Sequence, residues 1–158
     1  MSIIRALDVD LADADATLAA GAHLARGIVP GMVLALTGEL GAGKTTLVRG
    51  ALRALGWTGA VKSPTYAWVE HYVLSNLGVY HFDFYRLRDP SQWDASGFAE
   101  YFRADTICMV EWPERVSNVL AVRDVGAALR YRGDARTLTL SAHTATGDAC
   151  LEAFVNPP

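Results

Sequence analysis

Gly38-Glu39-Leu40-Gly41-Ala42-Gly43-Lys44-Thr45-Thr46 is the stretch of this chain whose residue types and spacing could do chemistry. Gly38, Gly43, Lys44 and Thr45 fill the pattern G-x-x-x-x-G-K-[ST], with the apolar run Met32–Leu36 ahead of it and a helical pattern behind it. Glycines let the backbone curl until successive N–H groups point into one hollow, and the following helix begins there with its partial positive charge facing the same spot. A phosphate chain fits such a hollow. Lys44 can then reach the β- and γ-phosphates as a mobile point charge, and the Thr45 hydroxyl can take one position around a magnesium ion. The plainer alternative is a Gly/Ala-rich turn that caps a strand. At an average glycine usage of about 7%, the four fixed positions coincide by chance in well under roughly one in a hundred chains of this length.

Two acids stand where they could complete such a site. Asp83 closes the alternating run Val79-Tyr80-His81-Phe82-Asp83-Phe84, and in open α/β sheets ligands sit beyond the carboxyl ends of strands. Asp83 therefore reads either as a carboxylate aimed at a nucleotide or as an ordinary strand-ending turn residue. His81, one step inside that run, reads as a cross-strand packing residue rather than a base. Glu111 leaves the short apolar run Ile107-Cys108-Met109-Val110, the form of a Walker B element whose acid binds or orders magnesium. A carboxylate on a buried strand is costly without such a role, which favours metal over a surface exit. In Ser63-Pro64-Thr65-Tyr66, Thr65 is either a switch residue that senses the γ-phosphate or part of a proline-fixed lead into a strand.

The elements that must position these residues follow from periodicity. Ile3–Leu7 reads as a first strand, and Asp13 or Asp15 can cap a helix with Leu18, Ala22, Ala25 and Ile28 along one stripe. Pro30-Gly31 turns the chain into the strand before the glycine-rich loop. Leu47, Val48, Ala51, Leu52 and Leu55 recur at helical spacing, with Gly56 as a C-terminal cap. Ala67–Val73 and Val79–Phe84 read as strands joined by a turn over Leu74–Gly78. Asp89-Pro90-Ser91-Gln92 starts a helix through a capping box, and that helix presents Trp93, Phe98, Tyr101 and Phe102. Val125–Tyr131 and Arg136–Ser141 flank Gly133-Asp134 as a hairpin. From Ala142 onwards no clear periodicity is visible, and Asn156-Pro157-Pro158 is expected to fray.

Composition narrows the function classes. A chain of 158 residues is the size of one domain. A net charge of −3 argues against a surface that grips nucleic acid by itself, so any RNA connection runs through a partner. Cys108 and Cys150 have no paired spacing, which offers neither a zinc framework nor a disulfide scaffold. No run approaches the roughly 18 apolar residues that a membrane span needs, and the expectation is a cytoplasmic chain without a membrane role. Among two lysines and twelve arginines, Lys44 stands where a point charge suits better than a planar fork. Lys62 reads equally as a nucleotide or partner contact and as a solvated loop residue. The aromatics other than Trp57, Tyr131 and Phe154 fall between Tyr66 and Trp112, mostly as core, and the expectation is a partner surface near Tyr66, Tyr85 and Trp112.

Gly38–Thr46, Ser63-Pro64-Thr65-Tyr66, Tyr80-His81-Phe82-Asp83-Phe84-Tyr85-Arg86-Leu87 and Val110-Glu111-Trp112-Pro113-Glu114 together resemble the TsaE family, the bacterial ATPases of the threonylcarbamoyladenosine pathway of tRNA modification. Glu39 and Phe84 are mild departures from that pattern. The resemblance implies an α/β fold, a P-loop NTPase-like three-layer sandwich with a mixed central sheet and a C-terminal β-hairpin, as one domain over 1–158 with the tail after about 142 poorly defined. It implies ATP and Mg2+ as ligands, slow hydrolysis by the chain alone, and work in complex with TsaB and TsaD, with tRNA met only through that complex. It makes Leu40, Gly41, Ala42, Gly43, Lys44, Thr45 and Thr46 the phosphate cradle and Thr45 with Glu111 the magnesium pair. Lys44, Asp83 and Glu111 become the catalytic residues, Thr65 a switch near the γ-phosphate, and Trp112 a neighbour of the nucleotide. The segment near Asp13 and Arg136 are candidates for the base. Alternatives on the same core are a small-molecule kinase and a nucleotide-gated binding module without meaningful hydrolysis.

Overall fold

The computed structural model describes residues 2–64, 66–75, 77–118, 120 and 122–158. An apolar run bounded by turn residues makes a strand when both its faces are covered, and β5 (Thr106–Glu111) is buried at every position. It lies between β2 (Val33–Thr37) and β4 (Leu77–Asp83), parallel to both, and β6 (Val125–Arg132) runs parallel to β2 on its other side. Antiparallel partners extend the sheet outwards: β7 (Ala135–Ala142) and then β1 (Arg5–Leu11) beyond β6, and β3 (Val69–Leu74) beyond β4. The mixed seven-stranded order is β1-β7-β6-β2-β5-β4-β3.

Helices cover both faces, which makes the three layers. On one face α1 (Ala14–Ala25), α2 (Lys44–Ala54) and α4 (Ala145–Val155) share a core with Leu36, Val79, Ile107, Met109 and Leu138. On the other, α3 (Ser91–Ser96) and 3-10 turns at Phe98–Tyr101 and Pro113–Val116 gather an aromatic core of Tyr80, Phe82, Phe84, Trp93 and Phe98. The ring stacking is dense: Phe82 alone meets Phe84, Phe98, Tyr101 and Phe102 with centroids 5.3–6.0 Å apart. No helix among the described residues is long and apolar enough to cross a membrane.

Several elements depart from the periodicity reading. The first strand starts later, at Arg5, leaving Ile3 and Ile4 exposed, because Asp8 and Asp10 alternate outwards while Leu7 and Val9 turn in. Asp13 caps α1 by accepting from the Ala16 N–H at 2.8 Å, and the fully buried stripe is Thr17, Ala20, Gly21 and Leu24; of the expected stripe, Ala25 and Ile28 pack half-buried on the core, whereas Leu18 and Ala22 do not join it. Close packing on α2 decides this: a Cβ at Gly21 would lie 2.2 Å from the Leu47 carbonyl oxygen, and one at Gly50 would lie 2.1 Å from that of Leu18. The capping box forms, with Asp89 Oδ1 accepting from Ser91 N and Gln92 Oε1 from Asp89 N. The helix nevertheless stops at Ser96, where Gly97 turns left-handed, so Phe98 and Tyr101 belong to the 3-10 turn. The stretch after Ala142 holds α4, whose Thr144 side chain caps it by accepting from Gly147 N at 3.0 Å.

Candidate nucleotide site

The carboxyl ends of β2, β4 and β5 open on one hollow. β2 ends at Thr37, and the loop that follows turns into α2 through Gly43, whose φ of 115° is a conformation glycine adopts without strain. Gly43 offers no side-chain cap, and the first turn of α2 contains no acid, so the helix's opening N–H groups and its positive end are left for a ligand. Leu40, Gly41, Gly43, Lys44, Thr45, Thr46, Ser63, Asp83, Glu111 and Trp112 line this hollow of about 240 Å³.

The parallel register sets the two acids. Asp83 and Glu111 are direct neighbours across β4 and β5, one at each strand's last position, and both are buried. Glu111 Oε2 accepts from the Thr45 hydroxyl at 2.9 Å and lies 2.5 Å from His81 Nε2. Asp83 Oδ1 accepts from the Tyr85 N–H at 2.9 Å. Burial holds the Asp83 carboxyl above the usual carboxylate range, and the charge of Glu111 pushes the same way against that hydrogen bond. Burial likewise lowers the Lys44 ammonium, while Glu111, Asp83 and Glu114 oppose the shift. Lys44 Nζ donates to the carbonyls of Gly38 and Glu39 at 2.5 and 3.0 Å and lies 4.7 Å from the centre of the Trp112 ring. Trp112 is held left-handed at φ 58°, an uncommon state for an aromatic residue, and its ring also packs on Tyr85 at 5.0 Å.

A second, smaller hollow of about 130 Å³ lies across the same loop, lined by Asp13, Ala14, Thr17, Gly41, Ala42, Gly43, Thr46, Asp134 and Arg136. Arg136 stacks on Tyr131 at 4.1 Å, and the Tyr131 hydroxyl donates to the Leu40 carbonyl at 2.6 Å, tying the β6–β7 hairpin to the loop. The structure thus gathers Leu40, Lys44, Thr45, Asp83, Glu111 and Trp112 around one hollow and Ala42 with Arg136 around the other, with Gly41, Gly43 and Thr46 shared. Thr65 lies outside the described residues; Ser63, two positions before it, lines the first hollow. Lys62 is exposed and lines neither. Tyr66 is 85% exposed with Arg86 over its ring at 4.7 Å, whereas most of the aromatic segment is core, as its composition suggests.

The contact between His81 and Glu111 escaped the periodicity argument, as did the tether from Tyr131 and the places of Thr17 and Asp134. Strand alternation gives a signal for the first, since His81 and Asp83 share a face. The others depend on how the hairpin and α1 meet the loop. A cavity of about 380 Å³ at the opposite ends of β2, β5 and β6 is lined by Met32, Trp93, Phe102 and Leu120, away from both acids.

Comparison with known proteins points the same way. The family model for threonylcarbamoyl adenosine biosynthesis protein TsaE matches residues 11–138, a span that holds the loop and both acids. A tRNA threonylcarbamoyladenosine biosynthesis protein TsaE from Haemophilus influenzae is 46% identical over 121 residues, 77% of each chain. One from Bacillus subtilis is 39% identical over 114 residues, 72% of this chain and 71% of the relative. The crystal structure of Bacillus subtilis YdiB superposes with a TM-score of 0.84 at 28% identity, covering 98% of this chain and 97% of that one. With the family model matching residues 11–138 and relatives at 46% and 39% identity over most of their length, the chain belongs to the TsaE family of threonylcarbamoyladenosine biosynthesis proteins.

Proposed function

We propose that this chain binds ATP with Mg2+ and hydrolyses it, slowly by itself, in service of threonylcarbamoyladenosine formation on tRNA in the cytoplasm. Residues 1–158 act as one nucleotide-binding domain on this reading. The observation that carries it is the Thr45 hydroxyl 2.9 Å from Glu111 Oε2, with Asp83 in register beside Glu111 and Lys44 within the same hollow.

The donor set fits the metal. Among the described residues no three His, Cys, Asp or Glu side chains converge as a closed metal cage. One hydroxyl and adjacent carboxylates instead suit a hard cation that keeps several waters and shares the phosphate oxygens. Thr45 and Glu111 would hold Mg2+, which neutralises charge on the phosphate oxygens when bound. The amides from Leu40 to Thr46 cradle the phosphates, Lys44 leaves the loop carbonyls for them, and Asp83 orders the water. Trp112 flanks the phosphates, Thr65 follows the γ-phosphate, and Arg136 with the Asp13 segment receives the base.

Slow turnover has a physical source. Among the described residues no arginine lines the first hollow: Arg86 lies over Tyr66, and Arg115 over Tyr85 at 5.8 Å. A partner therefore completes the charge neutralisation, and the TsaB–TsaD pair is the partner we assign, docking beside exposed Tyr66 and half-buried Tyr85 and Trp112. The transfer to tRNA belongs to that pair, and ATP use by this chain resets it. Kinase chemistry is less favoured, because the segment after Phe84 packs Trp93 and Phe98 into the core rather than forming an arginine-rich lid.

ATP turnover measured with and without TsaB–TsaD tests this. Turnover rises in the complex and falls by about 10²–10³ in Lys44→Ala and Glu111→Ala, while Asp83→Ala keeps ATP affinity and loses turnover. Unchanged turnover in Lys44→Ala and Glu111→Ala overturns hydrolysis here, and undiminished tRNA modification with Asp83→Ala favours a binding module.

A further inference from the structure

We infer that His81 is the positioning residue for Glu111: it decides which carboxylate oxygen meets Thr45 and which is left to the hollow. This deepens the reading of the site given above and rests on it.

His81 is fully buried on the α2 side of β4, between Val79 and Asp83, with Met109 as its partner across β5. Its Nε2 lies 2.5 Å from Glu111 Oε2, the oxygen that already accepts from the Thr45 hydroxyl at 2.9 Å. Because Oε2 serves Thr45 as an acceptor, His81 meets it with a proton on Nε2. The other ring nitrogen, Nδ1, is buried and has no hydrogen-bond partner among the described residues, so no second polar anchor there fixes the ring. A buried imidazole with one unpaired nitrogen is costly, and an apolar side chain of similar size would spare that cost. Among the described residues, the one side-chain hydrogen bond that histidine gains is to Glu111.

The consequence follows from carboxylate chemistry. A glutamate head can rotate about its last torsion, which is broad, and present either oxygen. With two donors gathered on Oε2, that rotation is blocked, and Oε1 makes no hydrogen bond among the described residues. A hydroxyl that gives a lone pair to a cation must keep its proton on an acceptor, and Glu111 Oε2 is that acceptor for Thr45. His81 thus acts on the cation's residues without touching nucleotide. Partners of this kind are worth about 10–100-fold in metal affinity or activity.

The test pairs His81→Leu, which keeps bulk and removes the donor, with His81→Gln, whose amide can return an N–H near the Nε2 position. Binding of a fluorescent ATP analogue is titrated with Mg2+ and repeated in EDTA. His81→Leu is expected to raise the Mg2+ concentration needed by about tenfold or more, leave binding in EDTA unchanged, and lower kcat with little change in KM. His81→Gln recovers most of both. Equal Mg2+ response in His81→Leu and wild type overturns the inference, as does a Gln variant as impaired as the Leu variant, which marks a packing role. If His81→Leu fails to fold, the ¹⁵N spectrum of the wild-type imidazole decides: a proton on Nε2 supports it, and one on Nδ1 alone overturns it. Lys44→Ala is measured alongside. If it too is silent, the ATP reading fails; if it abolishes binding while His81 variants are silent, only the positioning role fails.

Discussion

Asp83 occupies a place that is costly for a carboxylate, and the cost is measurable. Burial raises its pKa in the folded chain, so between the ordinary carboxylate value and the raised one the native state binds more protons than the unfolded state. Stability therefore falls as pH rises through that window and stays lowered above it. Asp83→Asn keeps the oxygen that accepts from Tyr85 and sheds the charge. It is expected to melt higher at pH 7.5 by about 2–4 °C, the shift that about 1 kcal/mol gives in a chain of this size, with the gap closing below the ordinary carboxylate range. Calorimetry across pH checks this, and the variant should lose turnover, the trade expected of a strained functional group. The glycine-rich loop and the helix behind it were legible because their spacing is local. Strand-end position left Asp83 and Glu111 with two readings each, and the parallel register that sets them side by side joins segments far apart in sequence. His81 is the cross-strand packing residue its alternation suggests, and it also touches Glu111.

At the scale of elements, the α1–α2 contact shows what hydrophobic periodicity leaves out. The stripe of Leu18, Ala22, Ala25 and Ile28 counts apolar side chains, whereas the helices meet where side chains are missing, at Gly21 and Gly50. On an isolated helix Gly→Ala stabilises by about 1 kcal/mol. Here Gly21→Ala is expected to do the reverse, costing about 1–3 kcal/mol by forcing a methyl toward the Leu47 carbonyl. Urea denaturation checks the sign, and a stabilised variant would refute the close packing. The helix α4 was missed for a related reason: its inward face, Gly147, Cys150, Leu151 and half-buried Phe154, has helical spacing but begins with a glycine, so only three side chains mark the period. Thr144 followed three residues later by Gly147 and then Asp148 was the available cue, a cap with an acid in the first turn.

For the molecule as a whole, the two cysteines report how tightly the layers close. Burial pushes the Cys108 thiol up to about 12 and Cys150 to about 11, and neither is exposed. At pH 8 a thiol reagent is expected to modify both only as fast as the chain unfolds; rapid stoichiometric reaction of the native protein would contradict the packing. Above the ordinary thiol pKa the unfolded chain releases protons that the native state retains, so stability declines as pH climbs past about 9, the unperturbed value. What the sequence determined by itself was whatever lies in one short stretch: the glycine-rich loop, the helix behind it, the apolar strands and the hairpin of β6 and β7. These depend on neighbours along the chain, where a few residues set both spacing and dihedral preference. Tertiary structure alone decided the strand order, the pairing of Asp83 with Glu111, the bond from Tyr131 to the loop and the grip of His81 on Glu111. Each of these joins separate segments, and a contact between separate segments exists only once the sheet has fixed which strands lie side by side and in what register.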